Sequence, residues 1–153
     1  CSWSRGLGDV YKRQLYASRK HLDQNLLKPS LATKKFVICD RYYDATEAYQ
    51  CYGKGLSHDF FKSLNKVCNL SIPEITFYID ITSEISKERI SNRERDRMEA
   101  EEIDFFNKVR EGYLKIAEEN RERIYKINGI DTIENIHKRI LEHVGEKIGS
   151  SLG

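Results

Sequence analysis

Three short apolar runs alternate with longer stretches of helical periodicity. Phe36-Val37-Ile38-Cys39 turns abruptly polar at Asp40 and Arg41. Ile75-Thr76-Phe77-Tyr78-Ile79 is rich in β-branched and aromatic residues and ends at Asp80. Ile124-Tyr125-Lys126-Ile127 ends at Asn128-Gly129. Runs of this length, bounded by charge or turn residues, predict strands of a parallel sheet. Between them the spacing is helical. Leu15, Leu22, Leu26 and Leu27 predict a helix over 15–28, stopped by Pro29. Thr46, Tyr49 and Gln50 fall three and four apart and predict one face of a helix beyond the first strand. Ser57 reads as an N-cap for a helix whose apolar face is Phe60, Phe61, Leu64, Val67 and Cys68. Thr82 or Ser83 would cap a further helix, to about 91. Ile103, Phe106, Val109, Tyr113 and Ile116 mark the buried stripe of a helix over 100–120. Asp131 and Glu134 resemble a capping box for a last helix through Ile133, Ile136, Ile140 and Val144. Strands alternating with helices predict an α/β domain with a parallel sheet.

Composition narrows the classes. At 153 residues the chain fits a single domain. The charged fraction is 33% but the net charge is only +2, so no global field demands nucleic acid or an anionic membrane. No apolar run approaches the roughly 20 residues that span a bilayer. Cys1, Cys39, Cys51 and Cys68 show neither a C-x-x-C pair nor a metal-ligand rhythm. They read as reduced thiols of a cytoplasmic protein, with Cys39 a small core residue. Residues 1–14 have no period, and GDVYKRQ resembles translated sequencing-adaptor read-through, so they are expected to be an artefactual or disordered tail. Residues 149–153 are expected to be a frayed end.

The candidate chemistry clusters after the first apolar run. In open parallel sheets ligands bind beyond the carboxyl ends of the strands. Asp40 and Arg41 would stand there, an acid suited to a metal and a guanidinium suited to a phosphate. Tyr42, Tyr43, Tyr49 and Tyr52 interleave with Arg41 and Lys54, a pattern also used to stack single-stranded nucleic acid. Asp40, Asp44 and Glu47 in the same stretch oppose that use by repelling phosphates. Residues 92–99, NRERDRME, form a charge run between two helices.

DRYYDATEAYQCYGKGL, YASRKHL, DRME and FFNKVREGYL resemble segments of bacterial thymidylate kinases. The likeness implies a partial P-loop-kinase-like fold over 15–148, matching the later two-thirds of the family's domain. It implies ATP as phosphoryl donor, dTMP as acceptor, Mg2+ as cofactor and a homodimer. Arg41 would bind the acceptor phosphate, and Asp40 would act near the metal. Arg19, Thr46 and Gln50 would meet the thymine edge. Tyr16, or its neighbour Leu15, would stack nearby, and Tyr49 would pack beneath the deoxyribose. Arg93 and Arg97 would belong to a lid opened by Asp96-Arg97-Met98-Glu99. The loop of Asn128, Gly129 and Ile130 would hold the adenine. Ala45, Cys51 and Lys54 stand where serine, glycine and arginine are common in the family. The glycine-rich loop G-x-x-x-x-G-K-[ST] is expected to be missing together with the strand before it. The chain by itself is therefore expected to be inactive and poorly folded. Another nucleoside-monophosphate kinase, or an inactive nucleotide-binding fragment, remains an alternative.

Overall fold

The computed structural model describes residues 14–82, 84–86 and 100–151. Helix α1 covers 14–32. Its middle, Asp23–Leu27, is a wider π-helical stretch, and it closes with the α-helical turn Lys28–Ala32. Pro29 does not stop the helix: it follows directly on the π-helical stretch Asp23–Leu27, an irregular turn of the kind at which a proline is accommodated within a continuing helix. Helix α2 begins with Tyr43–Thr46 and continues as a π-helix over Glu47–Gly53. Helix α3 is His58–Cys68, capped by the Ser57 hydroxyl accepting from the Phe60 N–H. Strand β1 is Thr76–Asp80, helix α4 is Ala100–Glu119, strand β2 is Ile124–Asn128 and helix α5 is Ile133–Ser151.

Strands β1 and β2 pair in parallel, with Thr76 opposite Ile124 and Asp80 opposite Asn128. These are the two strands among the described residues, and the expectation of a third at 36–39 is corrected. Residues 35–39 form no ladder. Phe36 is 81% and Ile38 99% exposed, and Cys39 is exposed rather than in the core. The physical reason is backbone pairing. A strand exists only where a neighbour takes up its N–H and C=O groups, and β1 bonds to β2 rather than to this segment.

The core has two lobes that meet at Tyr52. One gathers Ala48, Val109, Ile116, Ala117 and Ile124 where α2 packs on α4 and β2. The other gathers Tyr16, Cys51, Phe61 and Leu70 between α1, α2 and α3. Two glycines set the α2–α4 distance. A Cβ on Gly53 would lie 2.6 Å from the Phe105 ring and 2.8 Å from Val109, and one on Gly112 would lie 2.6 Å from the Tyr52 ring. Each helix therefore seats the other's aromatic in a glycine gap.

Several helical details shift from the periodic expectation. Phe60 and Val67 are 45% and 81% exposed, so α3 buries a narrower stripe led by Phe61. On α4 the ring turned into the core lobe is Phe105, while Phe106 is exposed. Thr132, not Asp131, caps α5, its hydroxyl accepting from the Asn135 N–H at 3.3 Å. Helix α5 continues past Gly145 and through Ser151.

Candidate active site

The sharp turn at Asp40-Arg41 leads directly into α2, and Arg41 carries a positive φ of 51°. A side chain with a Cβ is strained there, and such strain persists only where neighbours hold it. Arg19 from α1 supplies the hold. Its guanidinium donates to the Tyr42 carbonyl, and its second Nη donates to the Arg41 carbonyl at 3.2 Å. It also lies over the Tyr42 ring, 5.7 Å from the centroid. Burial pulls the Arg19 guanidinium below its ordinary range, against the opposing influence of Tyr16 and Tyr42.

The Arg41 guanidinium lies over the Tyr49 ring, 5.6 Å from its centroid, while the residue stays exposed. Tyr49 is held edge-on by Phe105 at 6.0 Å and by Tyr113 at 6.4 Å. Thr46 is buried and donates to the Tyr42 carbonyl at 3.2 Å, the same oxygen that Arg19 engages. Gln50, four residues on, is buried, and its Oε1 has no hydrogen-bond partner among the described residues. The same is true of Arg19 Nε and of the Tyr16 hydroxyl. Buried polar atoms are rarely left unpaired unless a ligand or water completes them. Tyr16 itself is 3% exposed and packs edge-on against Phe61, 6.3 Å between centroids, so its ring belongs to the core lobe behind Arg19.

Arg19, Asp40, Arg41, Thr46, Tyr49 and Gln50 are thus gathered by one turn and two helices. Asn128, Gly129 and Ile130 are placed elsewhere, in the turn after β2. Asn128 Oδ1 accepts from the Ile130 N–H at 3.1 Å, and the Gly129 N–H donates to the Asp80 carbonyl at 2.9 Å. A Cβ on Gly129 would lie 2.4 Å from Ile81, so the turn seats tightly on the end of β1.

The sequence of residues 11–140 matches the family model of thymidylate kinase. The chain belongs to the thymidylate kinase family. It is 35% identical to the thymidylate kinase of Pelodictyon phaeoclathratiforme, with 97% of this chain and 74% of that protein aligned. It is 38% identical to the thymidylate kinase of a Sulfurihydrogenibium species, covering 95% of this chain and 72% of that one. The crystal structure of thymidylate kinase from Ehrlichia chaffeensis superposes with a TM-score of 0.67 at 31% identity, over 84% of this chain and 60% of that one. The chain thus spans about 60% of that solved kinase and about three quarters of the first of these relatives.

Arg93 and Arg97 lie outside the described residues, as does the Asp96–Glu99 signature. Arg110 and Tyr113 both lie in the FFNKVREGYL segment, but two of their contacts escape a reading by motif. One is made by Tyr113, which stacks flat on Tyr78 of β1 with 4.7 Å between centroids and an 11° interplanar angle. The other is made with the carboxylate at the end of β1. Arg110 clasps Asp80 with two hydrogen bonds of 2.7 and 3.0 Å, and the Tyr78 hydroxyl donates to it at 3.1 Å. The β-run signalled that Asp80 ends a strand, but nothing local in the sequence pairs it with a residue thirty positions on.

Burial alone would push the Asp80 carboxyl up, but the Arg110 and Tyr78 hydrogen bonds and the Arg110 charge outweigh it and hold it below the usual carboxylate range. A carboxyl lowered on folding contributes stability above its unfolded value of about 4, and that stability drains away as pH falls through the folded value. Arg110→Ala should therefore lower the melting temperature at pH 7 by about 2–4 °C, corresponding to about 1 kcal/mol for a partly exposed pair. The gap between the two proteins should narrow steadily from pH 5 to pH 3. Thermal melts across that range check this, and a gap that stays constant would separate the pair from the acid response.

Proposed function

We propose that this site is the acceptor side of an ATP:dTMP phosphotransferase, which moves the γ-phosphoryl of ATP to the 5′-phosphate of dTMP and yields dTDP. The observation that carries the reading is the joining of Arg19 to the Arg41–Tyr42 backbone, with Arg41 poised over Tyr49. A planar guanidinium presents paired N–H groups that match phosphate oxygens. Arg41, exposed in the turn before α2, binds the acceptor phosphate. Tyr49 packs under the deoxyribose, where a 2′-hydroxyl would crowd its ring. Gln50 Oε1 is an acceptor in need of a donor and Arg19 Nε a donor in need of an acceptor. A pyrimidine edge supplies one of each, and Thr46 adds a hydroxyl oxygen that accepts no hydrogen bond among the described residues. Tyr16 backs Arg19 from the core.

Among the described residues no group of three or more His, Cys, Asp or Glu side chains could hold a metal. Asp40 offers one exposed carboxylate. That fits Mg2+, which keeps several waters and takes one or two protein carboxylates. When bound, the ion neutralises charge on the donor phosphates. Asp40 would hold it, and Arg93 and Arg97, which lie outside the described residues, would supply positive charge to the transferring phosphoryl group. The turn of Asn128, Gly129 and Ile130 lies against the adenine.

Titrating the chain with nucleoside monophosphates by calorimetry tests the reading. A pocket filled by the thymine methyl should favour dTMP over dUMP by about tenfold or more, and UMP and AMP should bind more weakly still. Equal affinity for dTMP and AMP would point to another nucleoside-monophosphate kinase, and no binding at all would reject the site.

A further inference from the structure

We propose that Tyr113 is a positioning residue for the acceptor phosphate: it fixes the Tyr49 ring, and through that ring the Arg41 guanidinium. The inference rests on the acceptor-site reading above.

The geometry forms a continuous chain of contacts. Arg41 has a strained backbone and an exposed guanidinium, so its direction is set by what lies beneath it. What lies beneath is the Tyr49 ring. Tyr49 is only half-buried and sits on the π-helical part of α2, where side-chain directions depart from α-helical spacing. Among the described residues its ring meets two aromatic supports, both from α4 and two turns apart. Phe105 approaches at 65° and Tyr113 at 83°, both edge-to-face. Phe105 is seated in the gap left by Gly53 and belongs to the packing of α2 on α4. Tyr113 is anchored differently. Its ring lies flat on Tyr78, whose hydroxyl is bonded to Asp80, which Arg110 clasps. Of these two supports, Tyr113 is therefore the one tied to the rim of the sheet. Burial raises the Tyr113 hydroxyl to about 12, with Tyr49 adding to the rise and Arg41 opposing it, so the phenol is neutral and sits within electrostatic reach of Arg41.

Removing the Tyr113 ring should loosen Tyr49 and let Arg41 swing, without touching the groups assigned to the base. The loss should then fall mainly on the phosphate, with a smaller share on the deoxyribose that Tyr49 underlies. Tyr113→Leu keeps an apolar side chain on α4 but deletes both ring contacts. Each edge-to-face or stacked pair is worth roughly two- to tenfold in an equilibrium. We expect Tyr113→Leu to weaken dTMP binding about tenfold, while thymidine, which keeps the deoxyribose over Tyr49 but lacks the phosphate, weakens only about two- to threefold. Tyr113→Phe restores the ring and should recover dTMP affinity to within about threefold. In the free chain, the Tyr49 ring proton shifts should move in Tyr113→Leu and return toward the original positions in Tyr113→Phe.

Calorimetric titration of the three chains with dTMP and with thymidine, alongside proton NMR of the Tyr49 ring, decides the matter. Equal losses for dTMP and thymidine would make Tyr113 a packing residue and overturn the proposal. So would Tyr49 shifts that are unaltered in Tyr113→Leu. Tyr49 shifts that respond as expected in a chain that binds neither ligand would locate the failure in the acceptor-site reading rather than in the clamp, and the phosphate-positioning role would fall with that reading.

Discussion

Arg41→Ala should weaken dTMP binding by about a hundredfold, the equivalent of two charge-assisted hydrogen bonds at roughly 1.5 kcal/mol each. Thymidine affinity should change far less, since Arg41 is assigned to the phosphate alone. Arg41→Lys is the informative companion. It keeps the charge but replaces a planar fork with a point charge, and it should recover only part of the loss, leaving a defect of about tenfold. Stability offers a second signature. Arg41 is exposed and its φ of 51° is strained for any residue with a side chain. Arg41→Gly should relieve that strain and raise the melting temperature slightly while abolishing the phosphate contact, the trade expected where backbone strain serves a site. Calorimetry with dTMP and thymidine measures the first effect, and thermal melts the second. A hundredfold loss shared equally by thymidine would mean that Arg41 shapes the pocket as a whole, and near-normal dTMP affinity would remove it from the acceptor site.

How much of this was readable in the chain depends on how far apart the interacting residues lie. Strands β1 and β2 were legible because a β-rich run closed by Asp80 or Asn128 carries its signal locally. The run at 36–39 carries the same signal, yet side-chain pattern does not state whether a neighbouring strand is at hand. Among the described residues β1 takes β2 instead. On α4 the stripe was placed through Phe106, and the structure turns Phe105 inward because Gly53 leaves a gap for it. That gap is written fifty-two positions away and leaves no mark on the periodicity of α4. Asp40, Arg41 and Tyr49 were legible from one contiguous segment. The left-handed turn that aims Arg41, the Tyr113 support beneath Tyr49 and the Arg110 clasp on Asp80 are tertiary facts, decided by packing between segments tens of residues apart.

The largest stability effect should come from a pair with no sequence signature at all. Asp44 and Arg123, separated by 79 residues, form two hydrogen bonds of 2.7 and 2.9 Å, with side chains only 6% and 10% exposed. Thr76 donates to the same carboxylate at 3.2 Å, and Asn120 accepts from Arg123 at 3.0 Å. The Thr76 N–H donates to the Arg123 carbonyl at 2.7 Å. One buried cluster thus pins the first turn of α2, the start of β1 and the turn before β2. The Asp44 carboxylate also lies in the first turn of α2, where the helix dipole favours negative charge. Asp44→Ala would leave a guanidinium buried without its counter-charge, and breaking such a pair costs about 3–5 kcal/mol. Much of a marginal domain's stability, about 5–15 kcal/mol, would go with it. The double change Asp44→Leu with Arg123→Met removes both charges and should be markedly more stable than Asp44→Ala, because an apolar pair of similar volume avoids the desolvation cost. Urea unfolding of the three proteins measures this, and a double variant no better than the single one would show that the attraction between the charges, rather than the penalty of orphaning one, holds the cluster together. Asp44 follows Arg41 by only three residues. If this cluster fixes where α2 starts, dTMP affinity should also fall in Asp44→Ala under conditions where the chain remains folded, and should return in the double variant.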